Sequence, residues 1–309
     1  MRKTLILFFC MFVSSGMADD LDDAKALYNV ARDACSGIAA ELAHVSTVST
    51  VNTVVGGVGA ASSGGALAVG VAKNKVDAEI EKLVREMCET GGCDANTIEQ
   101  MSGADLLTGV IGPMAKIAAL VEEKTEQSKK MGDWRTGLMS GTVATNVVNA
   151  IVGGINRNQS ELIQRIQGCN ATVAQLAQYK TRLVAMGFSP LEYPIVNDID
   201  SVVTWCRPID INDVEKIEKR MTAIMGTGIA GAAIGVAGTV TSGAANSERV
   251  RNDNTDAGKH KEQELNTAAN VMAGANVVTG ATEMGLGISL VTLSKKLIEQ
   301  AELCRGAFK

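Results

Sequence analysis

The chain has 309 residues, of which 46% are hydrophobic and 20% charged, with a formal net charge of −5. That length and hydrophobic content exclude wholesale disorder, and the acidic balance excludes recognition of nucleic acid, or of anionic lipid, through bulk charge. Only 3% of the residues are aromatic. The expected core is therefore built from Ala, Gly, Val, Leu, Ile and Met, which suits close-packed helices better than a deep ligand pocket.

Residues 1–18 read as a Sec-type signal peptide. Arg2 and Lys3 precede an apolar run from Leu5 to Val13, and the small residues Gly16 and Ala18 favour cleavage after Ala18. Nine apolar residues are too few to span a bilayer. The protein is accordingly expected to be exported, to the periplasm or the medium, by a leader of bacterial type. Six cysteines remain after the leader, Cys35, Cys88, Cys93, Cys169, Cys206 and Cys304. An even number in an exported chain predicts disulfides. Placement along the chain suggests Cys169 with Cys206, on either side of Gly187, Cys88 with Cys93 closing a turn, and Cys35 with Cys304 near the two chain ends. The two histidines, His44 and His260, lie far apart, so no metal site is expected.

In chain order, Leu27, Ala31, Ala34, Ile38, Leu42 and Val45 recur at spacings of three and four and predict a first helix over about 20–61. Ser62-Ser63-Gly64-Gly65 is the turn signal that ends it, and Val76, Ile80, Leu83 and Met87 carry a second helix over 66–90. Pro113 opens a helix to about 130, with Gly132 as its stop. A long helix over 134–186 carries Leu162, Ile166, Cys169, Val173 and Leu176 at alternating spacings of four and three, and Gly187 ends it. Residues 188–211 hold three of the four prolines and read as an irregular connector. Asn212 with Glu215 is a capping-box start for a helix over 212–246. A polar bend follows, and a last helix over 264–305 presents Leu286, Leu290, Leu293 and Leu297 on one face.

Four stretches are almost free of charge: 42–72, 136–156, 221–247 and 265–294. In the third, Gly231, Gly235, Thr239 and Gly243 recur at every fourth place, so a helix there has a face with almost no side chain on which a neighbour can pack closely. A short repeat recurs within these stretches. Val51-Asn52-Thr53-Val54-Val55-Gly56 matches Thr145-Asn146-Val147-Val148-Asn149-Ala150 and Ala275-Asn276-Val277-Val278-Thr279-Gly280, which suggests three related helical hairpins.

The expected architecture is all-α: an elongated bundle of long antiparallel helices with Gly/Ala packing faces and heptad-like arms. Its divisions are a leader (1–18), a first bundle part (19–187), a connector (188–211) and a closing helical hairpin (212–309). No GxSxG, HExxH, P-loop or dinucleotide-binding fingerprint occurs, and no catalytic, cofactor or metal residues are assigned. The leading functional expectation is an exported, non-enzymatic scaffold that binds a protein partner or itself through its helix faces. The alternative is a membrane-active bundle that inserts the uncharged stretch 45–72, with Ser62, Ser63, Gly64 and Gly65 as the entering tip. The pattern is only loosely similar to secreted helical-bundle proteins, pore-forming cytolysins and pilus-associated secretion subunits among them.

Overall fold

The computed structural model describes residues 17–87, 112–156, 158–247, 250 and 256–308. Among the described residues there are seven long helices and no strand: α1 (Met17–Cys35), α2 (Ile38–Met87), α3 (Gly112–Ile155), α4 (Ser160–Ala185), α5 (Pro194–Trp205), α6 (Ile211–Asn246) and α7 (Asp256–Ala307). The all-α class read from periodicity is what the chain forms. The leader and the Cys88/Cys93 pair lie outside the described residues.

Helix boundaries differ from expectation where Gly and Ser were taken as punctuation. The first break comes early, at Gly37, whose φ of 82° is open mainly to glycine. The turn expected at Ser62-Ser63-Gly64-Gly65 is absent, because α2 runs through it unbroken for 50 residues. Ser63 is fully buried there and shares a 2.9 Å hydrogen bond with Thr142 Oγ1 on α3. Gly132 does not stop a helix either. It lies buried inside α3, where a methyl group would come within 2.0 Å of Asn246 Oδ1 on α6. The connector 188–211 holds α5, which Pro194 opens in its first turn. At the start of α6, Asp210 rather than Asn212 caps: its Oδ1 accepts from Asn212 N at 2.9 Å. Gly187 ends α4 as expected, with φ 94°. The bonds Gly187 N to Val184 O and Phe188 N to Leu183 O (both 3.0 Å) make a Schellman close.

The chain divides into two units. Unit 1 comprises Met1–Val51, Gly154–Thr222 and Gly287–Lys309; unit 2 comprises Asn52–Gly153 and Ala223–Leu286.

Unit 1 has a conventional interior. Tyr28 and Ala31 of α1, Ile38, Leu42 and Val45 of α2, and Leu162, Ile166, Leu176 and Leu183 of α4 are buried. So are Val196, Ile199 and Val202 of α5, Val214, Ile217 and Met221 of α6, and Leu290 and Leu297 of α7. Each large aliphatic side chain taken from water is worth roughly 1.5–3 kcal/mol. Two disulfides are built into this core, Cys35–Cys169 and Cys206–Cys304. The pairing read from the sequence, Cys169 with Cys206 and Cys35 with Cys304, is therefore corrected. The same four cysteines do meet: Sγ of Cys35, Cys169 and Cys304 lie within 4.8 Å of one another. Chain distance from Gly187 could not say which sulfur faces which. The break at Gly37 sets Cys35 at the end of α1 against the middle of α4, and α5 delivers Cys206 to the end of α7.

Unit 2 packs four helical stretches in antiparallel neighbour pairs. Contacts match Gly56 with Met284 and Gly280 with Ala60 (α2 with α7), Gly59 with Thr145 and Gly65 with Leu138 (α2 with α3), Gly228 with Ala150 and Gly235 with Val143 (α3 with α6), and Gly231 with Thr279 (α6 with α7). In each pair, numbers rise on one helix as they fall on the other. Buried positions alternate by three and four on every helix. The series is Asn52, Gly56, Gly59, Ser63, Ala66, Gly70 and Lys73 on α2, with Val76 buried beyond it, and Ser128, Gly132, Arg135, Met139, Thr142, Asn146, Asn149 and Gly153 on α3. On α6 it is Ile224, Gly228, Gly231, Gly235, Gly238, Ser242 and Ala245, and on α7 Asn266, Ala269, Ala273, Asn276, Gly280 and Glu283, with Gly258 buried before them. Almost none is a large aliphatic residue.

Candidate functional site

Unit 2 has the polarity of a globular core reversed. Asn52, Asn146, Asn149 and Asn276 are all buried to within 1% exposure. Apolar side chains point outward on each of its four helices: Val54 and Val58 on α2, Val147, Val148 and Ile151 on α3, Ile229, Val236 and Val240 on α6, and Val271 and Val278 on α7. The apolar interior is small: Val76, Ile224 and a cluster of Ala66, Met139 and Ala273 flanked by Leu67, Leu138 and Met272. Val54 is 60% exposed, Val240 66% and Val278 65%. The repeat noted in the sequence is this arrangement written three times. In each copy the asparagine takes a buried position, and valines one or two places on fall on the outer surface. It marks three separate helices rather than three hairpins.

Small residues make the interior possible. A methyl group on Gly228 would lie 2.7 Å from Ala150 N, and one on Gly280 would lie 2.7 Å from Ala60 N, so at these points the helices meet backbone to backbone. Of the four packing positions read from the sequence, Gly231 and Gly235 lie in the interface. A methyl there would meet Asn146 Nδ2 at 2.4 Å and Val143 Cγ2 at 2.8 Å respectively. Thr239 is half-buried and returns its hydroxyl to Gly235 O (2.9 Å), while Gly243 faces open space. The true face is Gly228, Gly231, Gly235 and Gly238. Its three-four alternation tracks one side of a helix that an every-fourth series drifts away from. Asn276 exploits it: with its nitrogen toward Gly231 O (2.9 Å) and its oxygen toward Gly235 N (3.2 Å), the amide lies against bare α6 backbone.

Along the interior these groups form a polar seam. Asn149 Nδ2 donates to Glu283 Oε2, and Glu283 is fully buried. Ser63 and Thr142 share their hydrogen bond about seven residues of α3 further on, or roughly 10 Å. Next comes Arg135, 1% exposed, which donates to Asn266 O (2.9 Å) and Asn266 Oδ1 (3.2 Å). Burial pushes its guanidinium down to about 10, which leaves it charged at neutral pH. Buried Lys73 closes the series, with Asp77 at 2.7 Å and Glu262 at 3.0 Å, and Ser128 donates to Asp77 at 2.5 Å. Sequence reading missed Glu283, Arg135 and Lys73 as interior groups. A charge inside or at the edge of an otherwise uncharged helical stretch was the signal available.

In unit 1 the crevices are shallow. One is lined by Ile163, Glu215, Glu218, Lys219 and Thr222, the other by residues around Cys169, Cys206, Cys304 and Ile209. Asn170, within a glycosylation-type triplet, is committed to the fold: its amide donates to Ile209 O (2.9 Å) and accepts from Ile209 N (3.1 Å). His44 is exposed. Compared with known proteins, the chain matches no family model, no curated protein and no solved structure.

Proposed function

We propose that the chain is an exported, non-enzymatic membrane protein, in which the uncharged stretches of unit 2 (52–72, 136–153, 223–246 and 265–282) lie in lipid as a four-helix bundle, while the charged arms of α2 and α3 and the disulfide-stapled unit 1 face water. The observation that carries this reading is the reversed polarity of unit 2, with amides, hydroxyls and glycines inside and valine and isoleucine outside on all four helices. Water would penalise that surface, whereas hydrocarbon is its matching solvent. In lipid, helices associate through small residues and interhelical hydrogen bonds rather than through buried oil, and these are the contacts found. In this setting the three-four spacing is a coiled-coil seam, and the α6 glycines act as a glycine zipper.

Dimensions agree. Four helices among the described residues carry a stretch long and apolar enough to cross a bilayer. On α3, 20 uncharged residues follow Arg135 to the helix end at Ile155, about 30 Å of helix against a hydrocarbon core of about 30 Å. Trp134, 70% exposed, stands at one edge, where aromatic residues favour the membrane interface. The continuous α2 replaces the entering hairpin expected at 45–72: the whole bundle, not one tip, is the membrane element. The leader and the two disulfides fit an oxidising compartment.

Membrane fractions washed with alkaline carbonate test this. The mature protein is expected to stay in the pellet and to need detergent for release. Recovery as a detergent-free soluble oligomer, or in a soluble complex with another protein, would instead assign unit 2's outer surface to protein partners and restore the scaffold reading.

A further inference from the structure

The innermost acid of unit 2 has an unsolved hydrogen-bond problem. Glu283 is fully buried, and Asn149 Nδ2 supplies Oε2 with a donor. Glu283 Oε1 and Asn149 Oδ1 are both buried without a partner. An ionised carboxylate and a carboxamide oxygen are both acceptors, so neither can satisfy the other. Every element packed around Glu283 offers an uncharged group: Asn149 from α3, Thr227 from α6, and Gly56 from α2, whose added methyl would sit 3.0 Å from Glu283 Cβ. No described basic side chain reaches it, since Arg135 and Lys73 are engaged with Asn266, Asp77 and Glu262 further along the seam. A buried, unpaired carboxylate is costly, and an added proton removes the charge and both orphan acceptors together.

We propose that Glu283 binds a proton and closes an acid–amide pair with Asn149, in which Asn149 Nδ2–H donates to Glu283 Oε2 and Glu283 Oε1–H donates to Asn149 Oδ1. The proton comes from solvent and returns there when the site opens, so unit 2 contains a proton-binding site in its buried seam. Loss of that proton sets a full negative charge against an amide oxygen and loosens the contact between α3 and α7. The pair therefore makes unit 2 pH-sensitive. It depends only on unit 2's own buried atoms and stands apart from the membrane reading.

Infrared spectra of the full chain, taken as wild type minus Glu283→Gln at mildly acid pH, test the pair. A protonated carboxyl carbonyl band present in wild type and absent from the variant is expected. Glutamine carries an N–H where the acid carries O–H, so Glu283→Gln should keep the wild-type melting temperature, while Glu283→Ala lowers it. Wild-type stability should fall as pH rises from the ordinary glutamate value of about 4 and level off once the folded chain too has released its proton, because between those points the folded chain holds a proton that the unfolded chain has lost, and Glu283→Gln should flatten that fall. A carboxylate band in the difference spectrum would overturn the proposal. So would wild-type stability that rises with sodium at constant ionic strength and pH, since the oxygens would then belong to a cation. Should Glu283→Gln not fold, the wild-type pH and sodium series decides alone: a fall that begins above the ordinary glutamate value of about 4 and ignores sodium supports the pair, and any other result overturns it.

Discussion

Leu176 in unit 1 and Asn276 in unit 2 are both completely buried helix residues, each on a helix whose inward positions alternate by three and four. One is surrounded by an aliphatic core and the other lies flat on glycine backbone. The spacing decides which positions turn inward in both units, but the chemistry placed there decides which solvent the outside must face. Unit 1 hides leucine and isoleucine and shows charge to water. Its Arg182 is paired with Asp20 at 3.0 Å, and Arg165 with Glu41 at 3.0 Å. The uncharged stretches of unit 2 do the reverse, and its surface charge lies on the arms of α2 and α3, where Arg85 pairs with Glu81 and Lys130 with Glu126, and at the start of α7.

The comparison breaks most sharply with charge on the outer surface. Ile151→Lys together with Val236→Lys should cost about 5–7 kcal/mol of bilayer residence, at about 2.5–3.5 kcal/mol per lysine near a membrane centre. The double variant is then expected to leave the carbonate-washed pellet. Leu191→Lys in unit 1, at a residue 97% exposed, should leave partitioning unchanged.

A smaller effect separates tight from open glycines. Gly228→Ala places a methyl against the α3 backbone and should destabilise unit 2 by about 1–3 kcal/mol. Gly243→Ala meets nothing within 4 Å and should stabilise α6 by up to about 1 kcal/mol through helix propensity. Thermal denaturation in detergent would rank the two, and equal effects would mean the close approach is not what holds α3 to α6.

The smallest effect belongs to unit 1 and to acid. Hydrogen bonds from Lys216 (2.7 Å) and Lys296 (3.1 Å), with the attraction of their charges, hold the Asp213 carboxyl below its ordinary value. The folded chain then binds fewer protons than the unfolded one. The stabilisation is complete above the ordinary aspartate value of about 4 and is lost as pH falls through the lower folded value. Asp213→Asn should remove under about 1 kcal/mol at neutral pH, since both lysines are largely exposed, and should flatten the acid limb of the unit 1 melting curve.

How much of this could be read from the chain depends on the residue type. Leu162, Ile166, Cys169, Val173 and Leu176 gave up their buried face directly, because large aliphatic residues leave little doubt about which side they seek. Serine and glycine at 62–65 have two physical uses, as turn formers and as fillers of a crowded interior. Only the neighbours Leu138 and Thr142, 73 or more residues away, decide between them. Pro194 looked like a helix breaker and opens α5 instead. The asparagine–valine repeat was visible, but its direction was not: the same letters suit asparagine in water with valine inside. Cysteine partners were invisible for a related reason, since four sulfurs brought to one place satisfy more than one pairing.

The two disulfides also tie off unit 2 covalently. Cys35–Cys169 spans 134 residues and encloses Asn52–Gly153, while Cys206–Cys304 spans 98 and encloses Ala223–Leu286. Each bond thus closes one helix pair into a covalent loop. A protease that cuts between α2 and α3, or between α6 and α7, severs the backbone but frees no fragment, because both halves remain joined through cystine. A nicked molecule runs as an intact one until a reductant is added, so a cut in either connection stays silent for as long as the surroundings stay oxidising.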